Sequence, residues 1–94
     1  MRSTDIQKLF KDLKVKNGDK QLVVAVEELA ELQKEISKGL RGKLNRTALA
    51  EELADVCIMA NQVAAYYGIT IDELKFIMNQ KLNRTKKRLE LDEV

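Results

Sequence analysis

Apolar residues recur at three- and four-residue spacing in four separate runs along the chain, the pattern of amphipathic helices. The first run is Ile6, Leu9, Phe10 and Leu13. Thr4-Asp5-Ile6-Gln7 has the form of a capping box, with Thr4 as N-cap and Gln7 at N3, and Asn17-Gly18 marks the end of the helix. The second run, Leu22, Ala25, Val26, Leu29, Leu32 and Ile36, starts behind Asp19 as a cap and stops at Gly39 as the residue after the C-cap. The third, Leu49, Leu53, Val56, Ala60, Val63 and Tyr67, begins at Asn45 or Thr47 and ends at Gly68. Cys57 lies beside that stripe and reads as a small buried residue. Thr70-Ile71-Asp72-Glu73 is a second capping box, with Ile69 and Leu74 placed as a hydrophobic staple. The helix behind it is expected to pack through Leu74, Ile77, Met78, Leu82 and Leu89, with Glu90 to Val94 as a frayed end. One helical periodicity throughout makes the chain a single all-α domain over residues 1–94, with Phe10 as core.

The polar positions repeat as well. Glu27-Glu28-Leu29-Ala30-Glu31 on the second helix is echoed by Glu51-Glu52-Leu53-Ala54-Asp55 on the third. Residues three apart share a helix face, so Glu28 and Glu31 form one carboxylate pair and Glu52 and Asp55 another. Relative to Leu53, Glu52 and Asp55 hold the angular positions that Glu28 and Glu31 hold relative to Leu29. The midpoints of Glu28 with Asp55 and of Glu31 with Glu52 both fall between Arg41 and Gly42, inside the turn-like Lys38-Gly39-Leu40-Arg41-Gly42-Lys43. An antiparallel helical hairpin therefore sets the two pairs side by side. Glu27, Glu31 and Glu35 also recur at i, i+4 and i+8, and like charges at that spacing cost a helix roughly 0.2–0.5 kcal/mol per pair. A solvated acidic face is the plain alternative for either motif alone. The repeat at equal distances from the turn favours a shared cation, and an all-oxygen ligand set of Glu28, Glu31, Glu52 and Asp55 selects a hard ion, Mg²⁺, with Mn²⁺ as a substitute.

Composition narrows the chemistry further. The 94 residues contain no histidine, no proline and one cysteine. That removes histidine-based zinc sites, histidine-activated nucleophiles and an internal disulfide. No apolar stretch is long enough to span a bilayer or serve as a signal, so the expected location is the cytoplasm, without a membrane partner. A formal charge of +2 is too small to imply stable nucleic-acid binding. The basic residues gather on the last helix, where Lys81, Arg84 and Arg88 recur at i, i+3 and i+7. Beside a metal and phosphate site these cations gain a purpose; without one they read as solvated charge near a helix C-terminus.

The acidic motifs, E-E-x-x-E at Glu27, Glu28 and Glu31 and, twenty residues later, E-x-x-D at Glu52 and Asp55, resemble those of the MazG-like all-α nucleoside triphosphate pyrophosphohydrolases. The small phage-type members are most similar, and the dimeric dUTPases are related. The resemblance runs from about Leu22 to Leu89. It implies a four-helix MazG-like bundle built on the antiparallel hairpin, with Mg²⁺ held by Glu28, Glu31, Glu52 and Asp55. It further implies hydrolysis of a (d)NTP to the monophosphate and pyrophosphate. Many members carry K-x-x-x-N-x-x-R on the last helix for the phosphates; Lys81 and Arg88 match, Thr85 stands where asparagine is expected, and Arg84 is a substitute contact. Glu27 is the candidate general base or orienting residue, although it lies about 160° from Leu29 around the helix.

A helical interaction module is the alternative, with an acidic face for a protein or a basic helix for nucleic acid, and it needs no metal. So small a chain must also leave a metal-bearing face open, which points to self-association as a homodimer or tetramer. Val23 and Ile58 lie off the main stripes, and a second copy is expected to cover them.

Overall fold

In the computed structural model, residues 1–92 are described and form four helices: α1 (Ser3–Asn17), α2 (Lys20–Leu40), α3 (Arg46–Tyr66) and α4 (Ile71–Glu90). Glu93 and Val94, the last two residues of the expected frayed end, lie outside the described residues. No strand occurs among the described residues, and no helix there is long and apolar enough to cross a membrane.

Local chemistry sets the boundaries. Asn45 caps α3, its Oδ1 accepting from the Ala48 N–H at 3.1 Å, and Thr70 caps α4, its Oγ1 accepting from the Glu73 N–H at 3.1 Å. Two other caps differ from expectation. α1 begins at Ser3 with Arg2 in the N-cap position, so Thr4 lies inside the helix and makes no side-chain cap. Asp19 adopts helical backbone angles and caps nothing; its carboxylate accepts the Tyr66 hydroxyl from α3 instead. At the end of α2 the left-handed residue is Gly42 at φ 76°, not Gly39, which stays helical. The Lys43 N–H reaches the Lys38 carbonyl at 2.8 Å and the Gly42 N–H the Gly39 carbonyl at 3.1 Å, the paired bonds of a Schellman ending. Gly68, at φ 72°, closes α3 in the same way through Ile69 N–H to Ala64 carbonyl at 2.8 Å.

α2 and α3 form the main packed pair, and α1 lies across both, more heavily on α3. The register of the pair is visible in one contact: the Gln62 amide donates to the Gln21 amide oxygen, and the midpoint of these two residues again falls between Arg41 and Gly42. α1 is fastened by Phe10, which is buried as expected, and by Lys14, whose Nζ donates to the Tyr66 carbonyl at 2.8 Å while lying 4.7 Å from the centre of the Tyr66 ring. The core is small: Phe10, Ala25, Met59 and Ala64 are its buried apolar members.

Much of the expected core is therefore open. Val26, Leu29, Ile36, Leu53, Ala60 and Tyr67 are exposed, and so is Cys57, contrary to its reading as a buried residue. Two crossing helices each cover only part of the other's apolar stripe, and α1 shields one flank. α4 departs most from expectation. It contains no buried residue; Leu74 is half-buried, but Ile77, Met78, Leu82 and Leu89 are exposed, because α4 points away from the other three helices. The Cα radius of gyration of 16.2 Å exceeds the roughly 12 Å expected of a compact domain of this length. Three helices pack and the fourth stands apart.

Candidate metal centre

The α2–α3 register brings the acidic motifs together. Glu28 from α2 and Glu52 and Asp55 from α3 each offer a carboxylate oxygen within 4.8 Å of the others. Glu28 and Glu52 are half-buried and Asp55 is exposed, so the cluster sits at a rim with one open side. One oxygen of Glu28 and one of Glu52 are shut off from solvent without a hydrogen-bond partner. Buried carboxylate oxygens normally have a partner, since leaving one unpaired costs on the order of 1–3 kcal/mol or more.

Electrostatics records the same strain. The Glu52 carboxyl is held above the ordinary carboxylate range, first by desolvation, then by the charge and close approach of the Glu28 carboxylate, and then by Asp55 and Glu31. Nearby like charges and lost hydration both disfavour the ionised form. A divalent cation relieves both at once, and oxygen-only ligands at a partly open rim suit a hard ion that keeps some of its water. The residues present fit such an ion.

The other expected site residues are distributed unevenly. Glu31 is exposed and outside the three-residue cluster, yet close enough to contribute to the raised Glu52 pKa. Glu27 is exposed on α2 next to Glu28 in sequence. Lys81, Arg84 and Arg88 are exposed on α4, which makes no substantial contact with α2 or α3, so a single chain does not gather the basic stripe around the carboxylates. Thr85, at the expected asparagine position, turns its hydroxyl back to the Lys81 carbonyl at 2.9 Å.

Glu35 emerges from the structure more strongly than from the sequence. It is the one buried charged residue among the described residues; its Oε1 accepts from Lys38 Nζ at 3.2 Å and its Oε2 has no partner. It lies on the same helical band as Glu28 but two turns beyond it, outside the three-residue cluster. Comparison with known protein families, with curated proteins and with solved structures finds no match.

Proposed function

We propose that this chain is a Mg²⁺-dependent nucleoside triphosphate pyrophosphohydrolase of the MazG-like all-α kind, converting a (d)NTP to the monophosphate and pyrophosphate. The observation that carries the reading is the convergence of Glu28, Glu52 and Asp55 within 4.8 Å, together with the unpartnered buried oxygens of Glu28 and Glu52. An acidic face made only to meet a protein would keep its carboxylates hydrated rather than orphan their oxygens.

Glu28, Glu52 and Asp55 would hold Mg²⁺ or Mn²⁺, with Glu31 joining from the next turn of α2. When bound, the cation supplies positive charge that neutralises phosphate oxygens and acidifies water. The chain's own residues do the rest. Water attacks the α-phosphorus, the bond from that phosphorus to the α–β bridging oxygen breaks, and pyrophosphate departs carrying that oxygen. Exposed Glu27, next to Glu28 in sequence, is the candidate to take the proton from the attacking water. Lys81, Arg84 and Arg88 stabilise negative charge on the leaving pyrophosphate. Self-association as a dimer or tetramer is part of the same reading, supported by Val23 and Ile58, which are 58% and 56% exposed on the packed helices.

The test is pyrophosphate release from a panel of ribo- and deoxyribonucleoside triphosphates, with and without Mg²⁺, by the natural chain and by Glu52→Gln. Magnesium-dependent release that disappears in the variant is expected. No release from any nucleotide, with retained helicity, would leave the interaction-module reading in its place.

A further inference from the structure

We infer that α4 is exchanged between two copies of this chain, each copy laying the apolar face of its α4 into the α2–α3 groove of the other. The groove has a floor of Ala25 and Met59 and walls that include Leu22, Leu29, Val56 and Val63, enclosing about 510 Å³ of largely apolar space. Among the described residues nothing fills it; Val26 on its edge is 67% exposed. α4 carries the matching surplus on the face of Leu74, Met78 and Leu82, with Met78 58% and Leu82 62% exposed. A single 20-residue helix without a packed face is marginal in water, so α4 needs cover to persist.

Dimensions agree. At 1.5 Å per residue, Leu74 to Leu82 on α4 spans about 12 Å, and Leu22 to Leu29 along the groove about 10 Å. Charge sets the direction. The groove runs from Tyr67 toward the Glu28, Glu52 and Asp55 cluster. α4 opens with Asp72 and Glu73 and closes with Arg84, Lys86, Lys87 and Arg88. Only the orientation that starts at the Tyr67 end keeps the acidic first turn away from the carboxylates and brings the basic last turns to them. Met78 then lies over Ala60, and Arg84 and Arg88 of the partner lie about 3 and 9 Å beyond Leu82 along the axis, toward the cluster.

The connection explains why the cover comes from a second copy. Both of its ends are capped with α4 turned outward: Ile69 donates to the Ala64 carbonyl, Gly68 holds φ 72°, and Thr70 accepts from the Glu73 N–H. Three residues separate Tyr67 from Ile71, too few to swing α4 onto its own groove without breaking these bonds. A rigid, short connection with an unpartnered helix is the arrangement that favours reciprocal exchange. The role given to the partner's Arg84 and Arg88 at the carboxylates rests on the proposed nucleotide chemistry; the exchange itself does not.

The test uses the full chain on a Cys57→Ser background. One preparation carries Met78→Cys, a second, isotopically heavy one carries Ala60→Cys, and equal amounts are mixed and treated with a short bis-maleimide. The expected product is a covalent pair of one light and one heavy chain. A Met78→Cys, Ala60→Cys double variant that links within one chain at monomer mass would overturn the exchange, as would Met78→Cys chains linking only to one another. Light scattering of the natural chain guards against a folding defect in the variants: a dimer is expected, and a stable monomer overturns the inference. If the light–heavy pair forms while no nucleotide releases pyrophosphate, the exchange stands and only the catalytic reading falls.

Discussion

Glu52 occupies an unfavourable electrostatic position, losing hydration while facing Glu28, Asp55 and Glu31. Its folded pKa is raised, so the folded state binds its proton more tightly than the unfolded chain does. Stability from this group is therefore greatest at low pH and declines as pH rises above the unfolded glutamate value of about 4.3 and through the raised folded one. Without divalent cations the melting temperature of Glu52→Gln should accordingly exceed that of the natural chain at neutral pH, with the gap closing toward pH 4. Added Mg²⁺ should raise the natural chain's melting temperature at neutral pH and leave Glu52→Gln nearly unmoved. Equal responses of the two proteins in a calorimetric pH series would detach Glu52 from any cation. At the basic stripe, Lys81→Ala or Arg88→Ala should each lower kcat/KM by roughly 10–100-fold, the worth of one charge-assisted hydrogen bond. Unchanged kcat/KM in both variants would reassign these residues to solubility.

At the scale of the helices, the connections hold the carboxylates in register. Gly42 sits at φ 76° in the Schellman ending of α2, whereas Gly39 is helical. Gly42→Ala should destabilise the fold by about 1–2 kcal/mol, the cost of a left-handed conformation for a residue with a Cβ. Gly39→Ala should instead gain roughly 0.5–1 kcal/mol of helix propensity. Its new methyl meets only the Leu44 Cδ1 at 3.3 Å, on an exposed side chain free to yield. Urea unfolding of the two variants reads both signs. The pair also shows what the sequence makes legible and what it leaves open. Lys38-Gly39-Leu40-Arg41-Gly42-Lys43 announces a turn, but either glycine satisfies the local pattern, and the choice appears only in the folded backbone, where the Lys43 N–H reaches the Lys38 carbonyl and Gly42 takes the positive φ. Asn45 and Thr70 were readable as caps because nothing competes for their oxygens. Asp19 has the sequence form of a cap, but Tyr66, distant in sequence, claims its carboxylate.

For the molecule as a whole, the spacing of the acidic motifs about the turn carried real positional information: Gln21 and Gln62 meet in the register that the carboxylates predict. Periodicity says that a helix has an apolar face, but not which surface covers it. Leu29, Leu53 and Leu82 were thus identifiable as apolar-face residues while their exposure in a single chain was not. The same limit hid the separation of Lys81, Arg84 and Arg88 from the acidic cluster, since α4 was expected to pack on its own chain. Assembly is where that surplus apolar surface finds its use, and Val26→Asp in the groove or Leu82→Asp on α4 should weaken it, lowering the mass seen by light scattering at micromolar concentration. Masses unchanged by both substitutions would place the contact elsewhere.

The claim on which the functional reading depends is that Glu28, Glu52 and Asp55 hold a divalent cation, and Mn²⁺ titration followed by electron paramagnetic resonance addresses it without requiring turnover. The natural chain should remove free Mn²⁺ saturably, in competition with Mg²⁺, and Glu52→Gln should lose that binding while keeping its helical circular dichroism. Absence of saturable binding in the natural chain, or identical binding in the variant, would contradict it.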